Sequence, residues 1–123
     1  MLGQGGIATH TKSIGNAYEI RAASYLQSKG YLILEKNYRC RYGEIDLIVQ
    51  SPDKTIVFIE VKSRRSVSYG YATEAVTYDK REKIRKTSLF YIHERNLDWN
   101  QMYQYDVITF QNDILNHIEN AFF

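Results

Sequence analysis

The chain has 123 residues, 44% hydrophobic and 24% charged, with a net charge of +2. That is enough for one domain with its own core, and the single cysteine, Cys40, excludes an intrachain disulfide and a thiolate zinc cluster. No apolar run approaches the roughly 20 residues that cross a bilayer. The opening MLGQGGIATHTKS has no signal-peptide core, so a reduced, cytoplasmic setting with no membrane partner is expected.

Residues 1–12 are polar and Gly-rich and read as a mobile N-terminal segment, leaving 13–123 as a single domain. From Ser13 a helix is predicted, because Ile14, Ala17, Tyr18, Ala22, Tyr25 and Leu26 recur at helical spacing and Gly30 can end it. YLILEKNYR (31–39), GEIDLIVQ (43–50) and TIVFIEVK (55–62) read as strands. SPDK (51–54) is a short turn that makes the last two an antiparallel hairpin. A second helix is predicted near 76–95, a fourth strand over 102–110 and a short last element over 114–122. The order α-β-β-β-α-β gives an α/β sandwich with a mixed sheet.

Two of these strands break their apolar pattern. Glu44 and Asp46 interrupt one, and Glu60 and Lys62 close the next, each pair sharing a face by strand alternation. Glu19, on the flank of the first helix's apolar stripe, can reach the same place. A carboxylate among Ile, Leu and Val costs several kcal/mol unless its charge is compensated. Gathered carboxylates repel one another, and a hard divalent cation, Mg²⁺ or Mn²⁺, satisfies them best. Lys62 beside such a site can position a water or neutralise a phosphate. Glu44 either supports the site or pairs with Arg39 or Arg41. A plain turn cap at Asp46 and a Glu60–Lys62 ion pair are the structural alternatives.

From Lys62 to Lys86 there are eight Lys or Arg against three acids, a local net charge of +5. Such a band is either a solvated face or a phosphate-binding surface. In the second case Arg39, Arg41, Arg64, Arg65, Lys80, Lys83 and Lys86 are the candidates for contacting nucleic acid. His10, His93 and His117 show no metal-ligand spacing, and Cys40 has no partner histidine and reads as structural. Tyr69 and Tyr71 are either base-stacking or simply packed against the domain.

Asp46 followed by Glu60-Val61-Lys62 resembles the D…(D/E)xK signature of restriction-endonuclease-like nucleases, and Glu19 on a preceding helix is similar to the archaeal Holliday-junction resolvases among them. More closely, GYLILEKNYR (30–39), GEIDLI (43–48), VFIEVKSR (57–64), YGYATEAV (69–76), YDVI (105–108) and HIENAF (117–122) resemble the YraN family of small bacterial proteins. The resemblance implies a three-layer nuclease-like sandwich and nucleic-acid binding. It makes Glu19, Asp46 and Glu60 metal ligands, with the Val61 carbonyl as an extra one and Lys62 catalytic. The family often has Arg where this chain has Gln104. The expected activity is metal-dependent cleavage of DNA, on branched or structured substrates and through a homodimer. A nucleic-acid-binding module of the same fold and a protein-interaction domain are the alternatives.

Overall fold

A computed structural model describes residues 10–64, 77–98 and 100–122, with side chains for 17–63, 77–98 and 100–122. Its elements run α1 (His10–Ser28), β1 (Leu32–Cys40), β2 (Gly43–Gln50), β3 (Ile56–Arg64), α2 (Tyr78–Glu94), β4 (Tyr103–Gln111) and β5 (Ile114–Ile118). The order expected from sequence holds, with the short last element resolved as a strand. Helix α1 starts at His10 rather than Ser13. Of the N-terminal segment, residues 1–9 lie outside the described residues, as do Arg65, Tyr69 and Tyr71 and the side chain of Arg64.

The five strands lie in sequence order, β1-β2-β3-β4-β5. Only β3 and β4 are parallel, because α2 carries the chain back between them. The other pairs are antiparallel, so the sheet is mixed. Local chemistry sets the connections. Gly30, at φ +90°, ends α1, with Tyr31 N–H donating to Leu26 O and Gly30 N–H to Gln27 O, the paired bonds of a Schellman cap. The Thr77 hydroxyl accepts the Lys80 N–H and opens α2. Asn112 and Asp113 both have positive φ, which gives the two-residue β4–β5 turn its twist.

Each face of the sheet carries one helix and one apolar cluster. Under α2 lie Ile45, Ile48, Phe58 and Val107, with Ile84, Tyr91 and Ile92 from the helix itself. Under α1 lie Leu47, Val49, Ile59, Ile108 and Phe110, against Ala22, Ala23 and Leu26. The small alanines let α1 approach the sheet closely. In β3 the alternation is regular, but in β2 both Ile45 and Ile48 face α2, while Leu47 and Val49 face α1. The pleat is therefore broken between Ile45 and Leu47, at Asp46. The β2–β3 register also ends at the Leu47–Ile59 pair. Strict alternation thus does not fix the relation of Glu44 to Asp46, as the sequence pattern had suggested. Among the described residues no helix is long and apolar enough to cross a membrane.

Candidate active site

Where the β2–β3 ladder ends, a side chain replaces a backbone partner. Asp46 Oδ2 accepts the Val61 N–H at 2.8 Å, which fixes the carboxylate between the two strands. Glu60 precedes Val61 and faces α2, in phase with Ile56 and Phe58. Both acids are buried, Glu60 to 3% exposure. Lys62 lies in phase with Glu60, and its charge acts on Asp46 and Glu60 alike. From the other side of the sheet Glu19 comes down from α1 to within interaction range of Asp46 and of the Asn37 side chain. Of the residues named from sequence, Asp46, Glu60 and Lys62 act on one another electrostatically, while Glu19 reaches Asp46 alone among them.

Among the described residues, burial and neighbouring acids outweigh the nearby lysines and raise all three carboxyls. Burial, then the charge of Asp46, pushes the Glu60 carboxyl up to about 8, against the opposing pull of Lys80 and Lys62. Burial also raises Asp46, against the Val61 N–H and the same two lysines. Glu19 is raised by burial first and by Asp46 next. Two buried oxygens, Glu19 Oε1 and Glu60 Oε2, have no hydrogen-bond partner among the described residues. Burying an unsatisfied carboxylate works against folding by as much as one or two buried isoleucines favour it. Orphaned oxygens on an all-carboxylate donor set fit a hard divalent cation. Among the described residues no three His, Cys, Asp or Glu side chains already converge as a metal-holding group. A cation held here would therefore rely on one or two carboxylates and water, the usual habit of Mg²⁺.

A residue whose part the sequence did not reveal is Lys80. It had been taken for a phosphate contact, but its Nζ lies 3.7 Å from Glu60 Oε1, so α2 supplies a second cation to the cluster. Lys80 also lines a pocket of about 340 Å³ with Arg39, Lys83 and Glu44, backed by Cys40 and Ile84. Glu44 is exposed and bound to Arg39 at 2.9 Å, its cross-strand neighbour, while its charge still bears on Asp46 and Glu60. Arg41 stacks on Tyr42 at 5.1 Å, and Lys86 is exposed on α2. Arg85, counted in the basic band, is held by Glu82 at 2.7 Å. Asn37 was also missed. It sits at φ +52° inside β1, and an Asn in the middle of a strand pattern was the available signal.

A second polar cluster lies apart from these residues. Asp106, fully buried, accepts from Gln104 Nε2 at 2.9 Å and from Asn120 N–H at 3.1 Å, and contacts His117 Nε2 at 2.7 Å. His117 Nδ1 in turn meets the Tyr25 hydroxyl at 2.9 Å. Every member has a partner, so this network joins β4, β5 and α1 as a structural unit. Gln104 thereby serves Asp106, and His117 is the satisfied residue that its sequence context suggested.

A model of uncharacterised protein family UPF0102 matches residues 18–110, a span that includes the whole carboxylate–lysine cluster. The chain belongs to this family. UPF0102 relatives include proteins of Sulfurihydrogenibium sp. (44% identical over 108 residues, 88% of this chain and 92% of the relative) and Clostridioides difficile (44% over 115 residues, 92% and 99%). Another, from Syntrophus aciditrophicus, is 53% identical over 90 residues, 73% of this chain and 70% of its own. The family resemblance carried by GEIDLI and FIEVKSR is thus borne out, and it places Asp46, Glu60 and Lys62 inside the matched span of UPF0102.

Proposed function

We propose that this UPF0102 protein is a metal-dependent nuclease of the restriction-endonuclease-like kind, hydrolysing phosphodiester bonds in DNA, with branched or structured DNA as its substrate class. The observation that supports it most is Glu60: nearly fully buried, beside Asp46, with one oxygen unpartnered among the described residues and its carboxyl pushed up to about 8. A fold retains such a conflict where function requires it.

Asp46 and Glu60 would hold Mg²⁺ or Mn²⁺, with Glu19 contributing from α1. When bound, the cation would supply an activated water and offset negative charge on the phosphate. The Val61 N–H holds Asp46 in a fixed orientation, so the carboxylate needs no reorganisation during reaction. Lys62, in phase with Glu60, meets the charge that develops on the phosphoryl oxygens or orients the attacking water. Lys80 balances Glu60 when no cation is present and is placed to receive a phosphate oxygen when one is. Lys83 and Arg39 extend that positive surface along the substrate backbone.

The lack of three already convergent ligands among the described residues favours a second reading, a nucleic-acid-binding module with little activity. Incubation with linear, flapped and four-way DNA and Mg²⁺ or Mn²⁺ separates the two. The nuclease leaves cut products on at least one structured substrate. A binding module retards all of them in a gel and cuts none.

A further inference from the structure

The pocket beside Lys80 has features that phosphate-backbone binding alone does not require. It is lined by three cations and one acid, and the acid, Glu44, is already paired with Arg39. A guanidinium has five N–H donors, so Arg39 keeps several for another partner. The inner wall is apolar and close-packed. Gly43, at φ +153°, lets the β1–β2 turn approach α2 so tightly that a Cβ there would lie 3.1 Å from Thr87 Oγ1. Cys40 and Ile84 complete that wall. Between the lining residues Cys40 and Gly43 in sequence, the two turn residues form a cationic–aromatic pair: Tyr42 is 38% exposed, with Arg41 over its ring and Phe90 edge-on at 5.9 Å. An apolar wall, convergent cations and an exposed aromatic together suit an unstacked base carrying its phosphate. The volume, about 340 Å³, is at the small end of ligand pockets, about 300–1,000 Å³. That matches one nucleotide and is too small for a base pair.

The geometry points to a nucleotide subsite: the pocket between the β1–β2 turn and α2 takes a single unpaired nucleotide of the strand whose phosphodiester lies at Asp46 and Glu60. This inference rests on the nuclease reading and narrows it. The phosphate is met by Lys83 and Arg39, while Lys80 spans from the pocket to Glu60 and links the subsite to the reacting centre. The substrate is then a strand with at least one unpaired nucleotide next to the cut, such as a flap, a gap edge or a junction arm. A continuous duplex cannot fill the pocket without flipping a base, which costs a few kcal/mol.

Two measurements on the full chain, both in EDTA so that no cutting intervenes, test this. Fluorescence anisotropy compares a labelled 12-nucleotide oligothymidylate with the 12-base-pair duplex. The single strand should bind at least fivefold more tightly. Lys83→Ala should weaken the single strand more than the duplex and so remove most of that preference, with Lys83→Gln as a check against misfolding. The second uses the chain's only cysteine, which lines the pocket. Alkylation of Cys40 by iodoacetamide should slow at least fivefold with saturating single strand and little with duplex. Equal affinity for the two forms, unchanged in Lys83→Ala, overturns the subsite, as does single-strand binding that leaves Cys40 alkylation unslowed. Cleavage of structured DNA would survive either result. Binding of neither form, with no cleavage, removes the nuclease reading itself.

Discussion

Glu60→Gln tests the electrostatic conflict at the centre of the fold. The Glu60 carboxyl titrates at about 8 in the folded chain against an ordinary value of 4.5. Below pH 4.5 it is protonated in both states and contributes no penalty. As pH rises towards 8 the unfolded chain loses this proton first, so stability falls, and above 8 the penalty is complete. At about 1.4 kcal/mol per pH unit of difference, the cost approaches roughly 5 kcal/mol. Glutamine keeps the shape and abolishes the charge but gives up the attraction of Lys80, 3.7 Å away. The net gain at pH 9 without divalent cations should therefore be about 2–5 kcal/mol, a large part of the stability of an ordinary domain. At roughly 4 °C per kcal/mol for a chain of this size, Tm should rise by about 8–20 °C. Urea denaturation followed by circular dichroism from pH 4.5 to 9, in EDTA, measures it. The parent should lose stability across that range, whereas Glu60→Gln should be flatter and equal to the parent within about 1 kcal/mol at the acid end. A variant less stable than the parent at pH 9 would refute the reasoning, because ionised Glu60 would then be well compensated by Lys80 and Lys62.

Three further outcomes are expected, two from the structure and one from the basic band in the sequence. Asp46→Asn can still accept the Val61 N–H, so it should be at least as stable as the parent in EDTA. It should lose most of the rise in Tm that Mn²⁺ gives the parent by mass action. Replacing Asp106 by Ala strands Gln104, Asn120 and His117 in the interior and should cost about 2–4 kcal/mol by denaturation, with the Mn²⁺ response retained in whatever remains folded. Loss of that response would tie the second network to the site. Joint replacement of Arg64 and Arg65 by Ala should weaken binding to all DNA sequences alike and reduce the slope of log affinity against log salt by about 1–2; an unchanged slope would exclude them as phosphate contacts.

Strong local signals made most of the fold legible in the chain. The apolar runs 47–49 and 56–59, parted by a proline turn, read as a buried hairpin. Ile84, Ser88, Tyr91 and Ile92 marked the buried face of α2, whose observed buried residues add Thr87. The start of α1 was not legible, because His10, Thr11 and Lys12 carry no apolar period. The pleat break at Asp46 escaped for a related reason. Alternation assumes a regular strand, and the bond from the Val61 N–H to the Asp46 carboxylate is a tertiary fact, fifteen residues apart in sequence. Asp46, Glu60 and Lys62 stood out because each breaks an apolar strand pattern, and Glu19 because it flanks the apolar stripe of the preceding helix. Lys80 did not, since a lysine on a helix breaks no rule until packing brings it to Glu60, and the one signal for Asn37, an asparagine inside a strand pattern, does not point to Glu19. The pairing of Arg39 with Glu44 needed the β1–β2 register, which sequence does not fix to the residue.

The central claim is that Asp46, Glu60 and Lys62 together cleave a phosphodiester bond. Single-turnover cleavage of a flapped DNA with Mn²⁺, by the parent and by Lys62→Ala purified in parallel, addresses it most directly. Lys62→Ala should fold, bind the same DNA within about twofold, and cut at least a hundredfold more slowly, as expected when a group stabilising transition-state charge is removed. Equal cutting by the two proteins, or no cutting by the parent on any structured substrate with either metal, would contradict it.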